Sequence, residues 1–407
     1  MNSRTHSGEI CASMTQPSWR ARLLACALGA AAPLATTAAH ADPMTTPAMA
    51  GPLAANPNPF SVDLPDWLGP AAGKVYVTGA VSGLAFYQDN PIDAFPGDDA
   101  SMLDLSNGQV FLQKTDGWLQ FFVQVGDYSL PALGASYIKS SFATPFTFGV
   151  VPQAFIKIVP NSEFSIEAGK LPTLIGAEYT FTFENMNIER GLLWNQENAV
   201  NQGVQVNYAS GPITLSLSFN DGMYSNRLNW LWGLASYAFD SSNTISFVAG
   251  GNLGHTGYGN AGTSVALNNE DIFNLIYTWT SGPWTISPYL QYTNVPSTPS
   301  VGITKSASTL GGAILASYAF DDNWKLAGRA EYITDSGKAA GAPNLLYGKG
   351  SNAWSITITP TYQWKVFYAR VEGSYVGAGS TTPGFALGPA ASSTTQTRAM
   401  FEIGALF

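Results

Sequence analysis

The sequence is poor in charged residues and in cysteine. Only 11% of its 407 residues are Asp, Glu, Lys or Arg, against about 25% in typical soluble domains. Cysteine occurs twice, at Cys11 and Cys26, and histidine three times. Beyond the N-terminal region, no apolar run approaches the roughly 18 residues that indicate a transmembrane helix. These scarcities argue against an ordinary soluble surface and against a helical membrane protein.

The N-terminal region has the pattern of a secretory signal. Two arginines precede an apolar stretch, residues 23–35, which is followed by a small-residue cleavage pattern ending at Ala41. We expect residues 1–41 to be removed, so that the mature chain starts at Asp42. A membrane anchor would need a longer apolar stretch, and a lipoprotein signal would have to use Cys26.

Removal of that signal would leave a chain without thiols and with His255 as its last histidine. A disulfide scaffold, a cysteine-ligated metal and a cysteine nucleophile are then excluded, and we expect no cofactor or metal. A serine hydrolase would have to use His255, which lies in a glycine-rich loop with no nucleophile elbow nearby. The formal net charge of −9 argues against nucleic acid as a partner.

The remaining chain alternates between apolar and polar residues with a period of two. The clearest segments are ITLSLSFN (213–220), WSITITPTYQ (354–363) and WLQFFVQV (118–125). Because successive side chains of a strand point to opposite faces, each segment has one apolar and one polar face. Charged residues such as Arg329 and Arg370 stand on the polar faces.

Three architectures alternate in this way. A β-sandwich and a β-propeller place the apolar face inside and decorate the outside with charged residues, but this chain has few charges. A transmembrane barrel turns its apolar face to lipid and its polar face to a wet lumen. Only a closed barrel pairs every backbone group of a sheet in lipid. We therefore predict an all-β, antiparallel transmembrane β-barrel.

Short and long connections alternate along the chain. Short turns are expected at residues 115–117, 160–163, 209–212, 240–243, 281–284 and 321–323, and longer loops at 88–108, 252–269 and 335–351. This asymmetry is typical of outer-membrane barrels, which have short periplasmic turns and long extracellular loops. The segment count predicts about 16 strands, within a range of 14–18. We assign residues 74–407 to the barrel and residues 42–73 to a Pro/Ala-rich N-terminal segment.

Aromatic residues gather near the predicted turns. The heptapeptide LASYAFD occurs at 234–240 and again at 315–321, which predicts two strands that end at the same membrane interface. The last nine residues, AMFEIGALF, place Phe401, Ile403, Ala405 and Phe407 on one face. A terminal aromatic of this kind resembles the signal that barrel-assembly machinery reads, so we assign that role to Phe407.

The segment FENMNIERGLLWNQENAV (183–200) concentrates charge in a loop of about 30 residues, the third long loop by our count. Such loops are typically functional or disordered, and the apolar residues of this one favour burial. We expect it to fold inward and to line the lumen. A solvated outer loop and an internal Glu189–Arg190 ion pair are the alternatives. The candidate lining residues are Glu178, Glu184, Glu189, Arg190 and Glu197 of the loop, facing Lys157, Lys325, Arg329 and Arg370 of the strands.

The same region carries a family resemblance. Residues 168–208 resemble the putative beta-barrel porin-2 family of OmpL-like outer-membrane porins. The matching elements are Gly169-Lys170, Thr173, Ile175-Gly176, Glu178, Asn187, Leu192, Gly203-Val204 and Tyr208. The resemblance implies passive diffusion of small hydrophilic solutes or ions through a water-filled channel in the Gram-negative outer membrane. It also implies outer-membrane lipid as a partner, and porins in general lead us to expect a homotrimer. A barrel-rim enzyme and a structural or adhesive barrel remain the alternatives.

Overall fold

The computed structural model describes residues 53–56, 58–92, 98–259 and 263–407. The predicted signal peptide and the cleavage site before Asp42 lie outside these residues. Within them, no helix has the length and the apolar character that crossing a bilayer requires.

Sixteen antiparallel strands form a closed barrel, and one short strand precedes them. The closure is made by the last strand, which pairs with the first barrel strand between Leu406↔Ala80 and Arg398↔Gln88. The strands are β1 (Phe60–Asp63), β2 (Lys74–Gln88), β3 (Ser101–Lys114), β4 (Leu119–Tyr128), β5 (Gln153–Ile158), β6 (Phe164–Pro172), β7 (Val200–Ser210), β8 (Ile213–Asn220), β9 (Trp230–Ala238), β10 (Asn243–Asn252), β11 (Asp271–Ser281), β12 (Trp284–Val295), β13 (Ala307–Ala319), β14 (Trp324–Asp335), β15 (Asn352–Trp364), β16 (Phe367–Gly379) and β17 (Thr395–Leu406).

Among the described residues, helical structure is confined to the connections between strands. One α-helix, α1 (Ser140–Phe146), lies between β4 and β5. Short 3-10 turns occupy Asp66–Ala71, Thr182–Glu184, Leu193–Gln196, Leu267–Asn269 and Pro299–Val301. The predicted all-β barrel of about 16 strands is therefore confirmed.

Short turns gather at one end of the barrel and long loops at the other. We number the long loops in chain order as L1 (89–100), L2 (129–152), L3 (173–199), L4 (221–229), L5 (253–270), L6 (296–306), L7 (336–351) and L8 (380–394). All six predicted short turns lie at the turn end. Both copies of LASYAFD also end there, where Tyr237 meets Phe239 and Tyr318 meets Phe320 edge to face.

The first predicted loop, 88–108, is longer than the loop in the structure, because β3 already begins at Ser101. Its second half belongs to β3, in which Met102 pairs with Phe86 and Leu105 pairs with Gly83. A register shift at Ser82/Gly83 interrupts the ladder. Such a bulge inserts an extra residue and shifts the alternation, which hides the strand in the sequence.

The lumen is less uniformly polar than the alternation predicted. Trp230 and Trp232 are stacked 5.4 Å apart and are almost completely buried. They pack with Val248, Ile272 and Ile175 in one cluster, and Ile175 belongs to L3. These wall residues are apolar because they hold a loop that fills this part of the barrel, so water does not contact them.

The N-terminal segment reaches the barrel interior. We call residues 53–56 and 58–63 the strap. Its β1 continues the sheet beside the start of β2, from Phe60↔Val77 to Asp63↔Lys74. Ahead of β1, Ala54 donates its backbone N–H to Oε1 of Gln363 at 2.7 Å and accepts from Nε2 of Gln363 at 2.8 Å. Leu53 is buried in a cluster with Phe111, Phe122, Tyr368 and Leu406.

Candidate functional site

L3 folds into the barrel and crosses it. Every residue from 180 to 193 is buried. Near its start, the Gly176 N–H donates to Oδ1 of Asn274 on β11 at 2.7 Å, and Thr182 accepts from Asn107 on β3 at 2.6 Å. Because β3 and β11 lie half-way round the barrel from each other, the loop spans the lumen.

Apolar contacts anchor the first half of the loop. Phe183 lies 5.7 Å from Phe111 of β3, and Phe181 meets the Tyr128 ring edge to face at 5.1 Å. All four side chains are nearly inaccessible to solvent. Aromatic pairs at such separations add to the stabilisation that burial of their area provides, which explains why this charged loop is not displayed outside the barrel.

Arg329 of β14 holds the middle of the loop. Its guanidinium forms an ion pair with Glu178 and donates to the carbonyl of Glu189 at 2.7 Å. The second oxygen of Glu178 accepts the Gly191 N–H at 2.7 Å. Arg329 also lies 3.3 Å from Glu331 of its own strand. A charged group this deeply buried requires such compensation.

Arg370 of β16 forms a second attachment point. It pairs with Glu402 of β17 and donates to the backbone carbonyls of Thr182 at 2.9 Å and Asn185 at 3.1 Å. Glu402 also accepts from the Thr182 hydroxyl at 2.7 Å. The planar guanidinium can serve several acceptors at once, and here it joins two strands to the loop.

Arg398 of β17 ties L2 to L3. It pairs with Glu189 at 2.6 Å and donates to the carbonyls of Ala132 and Ala135 in L2. Glu189 also accepts from the Ser374 hydroxyl at 2.9 Å. The Glu189–Arg190 ion pair that the sequence left open is therefore not the arrangement adopted, since Glu189 pairs with the barrel wall.

Two wall carboxylates accept backbone N–H groups of the loop. Glu372 accepts from Ile188 at 2.5 Å and from Glu189 at 3.0 Å. Glu331 accepts from Leu192 at 3.0 Å. Carboxylates that bond backbone amides fix the path of the chain as well as its charge.

Among the described residues, the Glu184 carboxyl bonds only within L3. Glu184 accepts the backbone N–H of Phe181 at 3.0 Å. Its burial raises its pKa to about 8, although the Phe181 N–H and the nearby Arg190 charge work in the opposite direction.

Arg190 and Glu197 differ from the other charged residues of L3. Arg190 is fully buried, and its guanidinium has no hydrogen-bond partner within the described part of the chain. It stacks over the Trp194 ring at 4.7 Å. Burial lowers the pKa of Arg190 to about 10, against the opposing effect of Glu178, Glu189 and Glu184.

Both carboxylate oxygens of Glu197 likewise lack a hydrogen-bond partner among the described residues. Burial raises the pKa of Glu197 well above its usual range, and the neighbouring carboxylates of Glu178 and Glu331 raise it further.

The two candidate lysines lie away from the loop. Lys157 of β5 pairs with Glu167 of β6 at 3.3 Å. Lys325 stands at the turn end of β14, with Ala327 between it and Arg329 on the inward face. The structure thus joins Arg329 and Arg370 to L3 and places Lys157 and Lys325 elsewhere on the wall.

Two cavities border the loop. The loop-side cavity, about 280 Å³, lies between L2, L3, L4 and L5, and Glu197 lines it. The turn-side cavity, about 410 Å³, lies between residues 173–179 and the inner faces of β9–β13. The Glu197 carboxylate rests against Gly176, where an added Cβ would stand 1.8 Å from Oε2. Gly176 lines the turn-side cavity and Glu197 lines the loop-side cavity, so this contact lies between the two cavities.

Four wall residues of this site were not predicted from the sequence. They are Glu331, Glu372, Arg398 and Glu402. The sequence nevertheless places them on inward faces. Glu331 is two residues from Arg329 and shares its face, and the same holds for Glu372 with Arg370. Glu402 is four residues from Arg398 and also shares its face. The inward phase of one charged residue in a strand therefore identifies the others.

The profile of the family described as putative beta-barrel porin-2, OmpL-like, matches residues 74–407. No curated protein matches the sequence significantly.

Solved structures share the fold at low sequence identity. The outer-membrane expressed OmpT of Vibrio cholerae superposes with a TM-score of 0.54 at 13% identity, covering 82% of this chain and 98% of that one. The outer membrane channel DcaP of Acinetobacter baumannii gives 0.53 at 11%, covering 82% and 97%. OmpF of Salmonella typhi, in complex with daunomycin, gives 0.52 at 12%, covering 85% and 100%.

Proposed function

Because the chain belongs to the putative beta-barrel porin-2, OmpL-like family, we propose that it forms a water-filled channel for passive diffusion of small hydrophilic solutes or ions. The observation that carries the proposal is the inward-folded L3, which lies inside a closed 16-strand barrel with a cavity on each side of it among the described residues. Barrels of this size enclose an aqueous space, and a loop inside that space sets which solutes pass. The role needs no catalytic group.

The loop would act as a fixed filter. Three arginines of the wall hold it in place. Arg329 and Arg398 pair with Glu178 and Glu189 of the loop, and Arg370 donates to the loop carbonyls of Thr182 and Asn185. The contact between Gly176 and Glu197 lies between the two cavities, and in this proposal solutes pass beside it. Charged groups at a narrow neck act strongly on passing ions because water screens them poorly there.

The proposed setting is the outer membrane of a Gram-negative cell. Short turns would face the periplasm and long loops the exterior. Exposed aromatic residues at the turn end, such as Trp284, Trp324 and Phe367, would lie at the lipid interface. The proposed partners are outer-membrane lipid, small hydrophilic solutes and the barrel-assembly machinery that reads Phe407, and a homotrimer is part of the same proposal.

Planar-bilayer recording tests the channel. The purified full-length mature protein should produce discrete open-channel steps in potassium chloride, and vesicles that contain it should swell in small sugars. Heat-modifiable migration on a gel verifies that the same preparation is folded. A folded preparation that remains electrically silent and passes no sugar would overturn the proposal in favour of an enzymatic or adhesive barrel.

A further inference from the structure

Charged residues are unevenly distributed around the barrel wall. In the seven consecutive strands β7–β13, which lie wholly within the described residues, Asp271 is the only Asp, Glu, Lys or Arg. The arginines and glutamates of the wall that hold L3 stand instead on β14, β16 and β17. Charge on the wall is therefore used to fix the loop, and nearly uncharged strands face the space beside it.

The turn-side cavity lies against these uncharged strands. Four hydroxyl side chains of β10, β11 and β12 line it, namely Ser246, Thr278, Thr285 and Ser287. The hydroxyls of Thr278 and Ser287 lie 3.1 Å apart, and that of Ser246 lies 2.8 Å from the hydroxyl of Ser236 on β9. A hydroxyl has one donor site and two acceptor sites, so each pair retains capacity for hydrogen bonds to a solute.

Apolar side chains form another part of the same lining. Leu174 and Met186 come from L3, and Leu234, Ile276 and Leu315 come from the wall. The volume of about 410 Å³ falls within the range that is typical of small-molecule sites. A solute that fits this lining combines hydrogen-bonding groups and C–H surface on one compact frame.

The cavity offers no free charge to a solute. Glu178 is the only Asp, Glu, Lys or Arg among its described lining residues. One oxygen of Glu178 pairs with Arg329, the other accepts the Gly191 N–H at 2.7 Å, and the side chain is almost completely inaccessible. A charged solute would lose hydration here without gaining a counter-charge, which is costly.

We propose that the turn-side cavity binds uncharged polyhydroxylated solutes of monosaccharide size. A sugar ring carries hydroxyl groups around its edge and C–H groups on its faces. The Ser and Thr side chains can therefore bond the edge of the ring while the Leu and Ile side chains contact a face. A purely apolar solute would displace water from the wall hydroxyls without replacing its hydrogen bonds.

The site rests on the proposed function, because it names a class of solute that the channel would hold on its turn side. Binding can nevertheless be measured without conduction. A folded protein that conducts but binds no glucose would overturn this site and leave the channel standing. A folded protein that binds glucose but does not conduct would support the site and overturn the channel.

Saturation-transfer NMR with glucose tests the site on the folded mature protein in micelles. The detergent is an uncharged polyoxyethylene ether, which has no sugar head group to compete, and empty micelles are the blank. Glucose should bind. Glucuronate and glucosamine, which carry a negative or a positive charge on the same ring, should bind about tenfold more weakly or worse, because the cavity has no counter-charge for them.

The double variant Thr278→Val/Ser287→Ala tests the hydroxyls. These two hydroxyls bond each other, so their joint removal leaves no unpaired partner in the protein, and glucose binding should weaken by about tenfold. Ser308→Ala/Ser336→Ala is the matched control. It removes another bonded pair, 2.7 Å apart and exposed at the loop end of the barrel, and it should bind glucose like the wild type.

Absence of glucose binding to the folded wild-type protein would overturn the proposal, and glucuronate or glucosamine binding as tight as that of glucose would overturn the uncharged class. Equal glucose binding by Thr278→Val/Ser287→Ala would overturn the role of the hydroxyls. If that variant does not give the heat-modifiable folded form, Thr285→Phe serves instead. Thr285 lines the same cavity, so the larger side chain should occupy it and weaken binding, and retained affinity would contradict the assignment.

Discussion

Gly191 packs directly against the barrel wall at Glu331 of β14. A Cβ added there would stand 2.0 Å from Oε1 of Glu331. Glu331 accepts the backbone N–H of Leu192, and the Gly191 N–H itself donates to Glu178. The absence of a side chain therefore allows two wall-to-loop attachments to form side by side.

Gly191→Ala should force Glu331 away and loosen this attachment. We expect a loss of stability of about 1–3 kcal/mol, the usual range for overpacking a buried site, together with noisier single-channel currents. Gly373→Ala is the matched control, since an added Cβ at Gly373 meets no atom within 4 Å. Thermal unfolding in micelles measures both, and equal midpoints for the two variants would contradict the prediction.

Glu184 makes the stability of the loop depend on pH. Its folded pKa of about 8 lies above the value of about 4.3 expected in the unfolded chain. The folded state therefore keeps a proton that the unfolded state has lost between these two values. The contribution of Glu184 to stability is full below the unfolded pKa and falls as pH rises to about 8.

Glu184→Gln should remove that part of the pH dependence. The stability of the wild-type protein should fall relative to the variant between pH 5 and pH 8, by up to roughly 1.4 kcal/mol per pH unit. Arg190 is the charged group that faces Glu184, and it stays protonated throughout this range because its own pKa is about 10. Unfolding midpoints of the wild-type protein and the variant, measured from pH 5 to pH 9, give the difference in stability at each pH. A difference that stays constant over this range would refute the prediction.

At the scale of elements, alternation located the strands well where one face meets lipid without interruption. The segment ITLSLSFN coincides with β8, and the loop between β6 and β7 is close to its expected length of about 30 residues. Alternation could not show that Trp230 and Trp232 point inward, because a period of two separates two faces without saying which one is the lumen.

The contacts of L3 could not be predicted from the sequence for a different reason. Arg329 and Arg370 were correctly placed on polar faces, and the structure joins both to the loop. Arg329 pairs with Glu178, and Arg370 pairs with Glu402. Which acid pairs with which arginine depends on the register of the strands and on the path of the loop. Neither is encoded in local spacing.

Removal of the strap should widen the opening of the barrel at the end where the short turns lie. Ala54 and Leu53 lie inside the barrel against Gln363 and the surrounding apolar residues. Deleting residues 42–58 should raise single-channel conductance, and Gln363→Ala should reproduce part of the rise because it removes both bonds to Ala54. Asn56→Ala is the control, since Asn56 bonds only Asn58 within the strap. Unchanged conductance in the deletion would show that the strap does not narrow the path.

At the scale of the whole molecule, the interior charges form part of the framework of the barrel. Glu178 of L3 forms one network with Arg329 and Glu331 of β14, and Thr182 of L3 forms another with Arg370 of β16 and Glu402 of β17. Breaking a buried pair by removing one partner typically costs about 3–5 kcal/mol. The proposed filter and the stability of this barrel would therefore depend on the same side chains.

The contact between Ala54 and Gln363 joins residues 309 positions apart. Ala54 emerges early in synthesis, whereas Gln363 belongs to the third strand from the end of the barrel, and contacts this distant in sequence form late in folding. Until β15 is in place, Leu53 has no completed apolar cluster to enter. Leu53 and Ala54 are thus expected to dock among the last, and their docking would report that the barrel has closed.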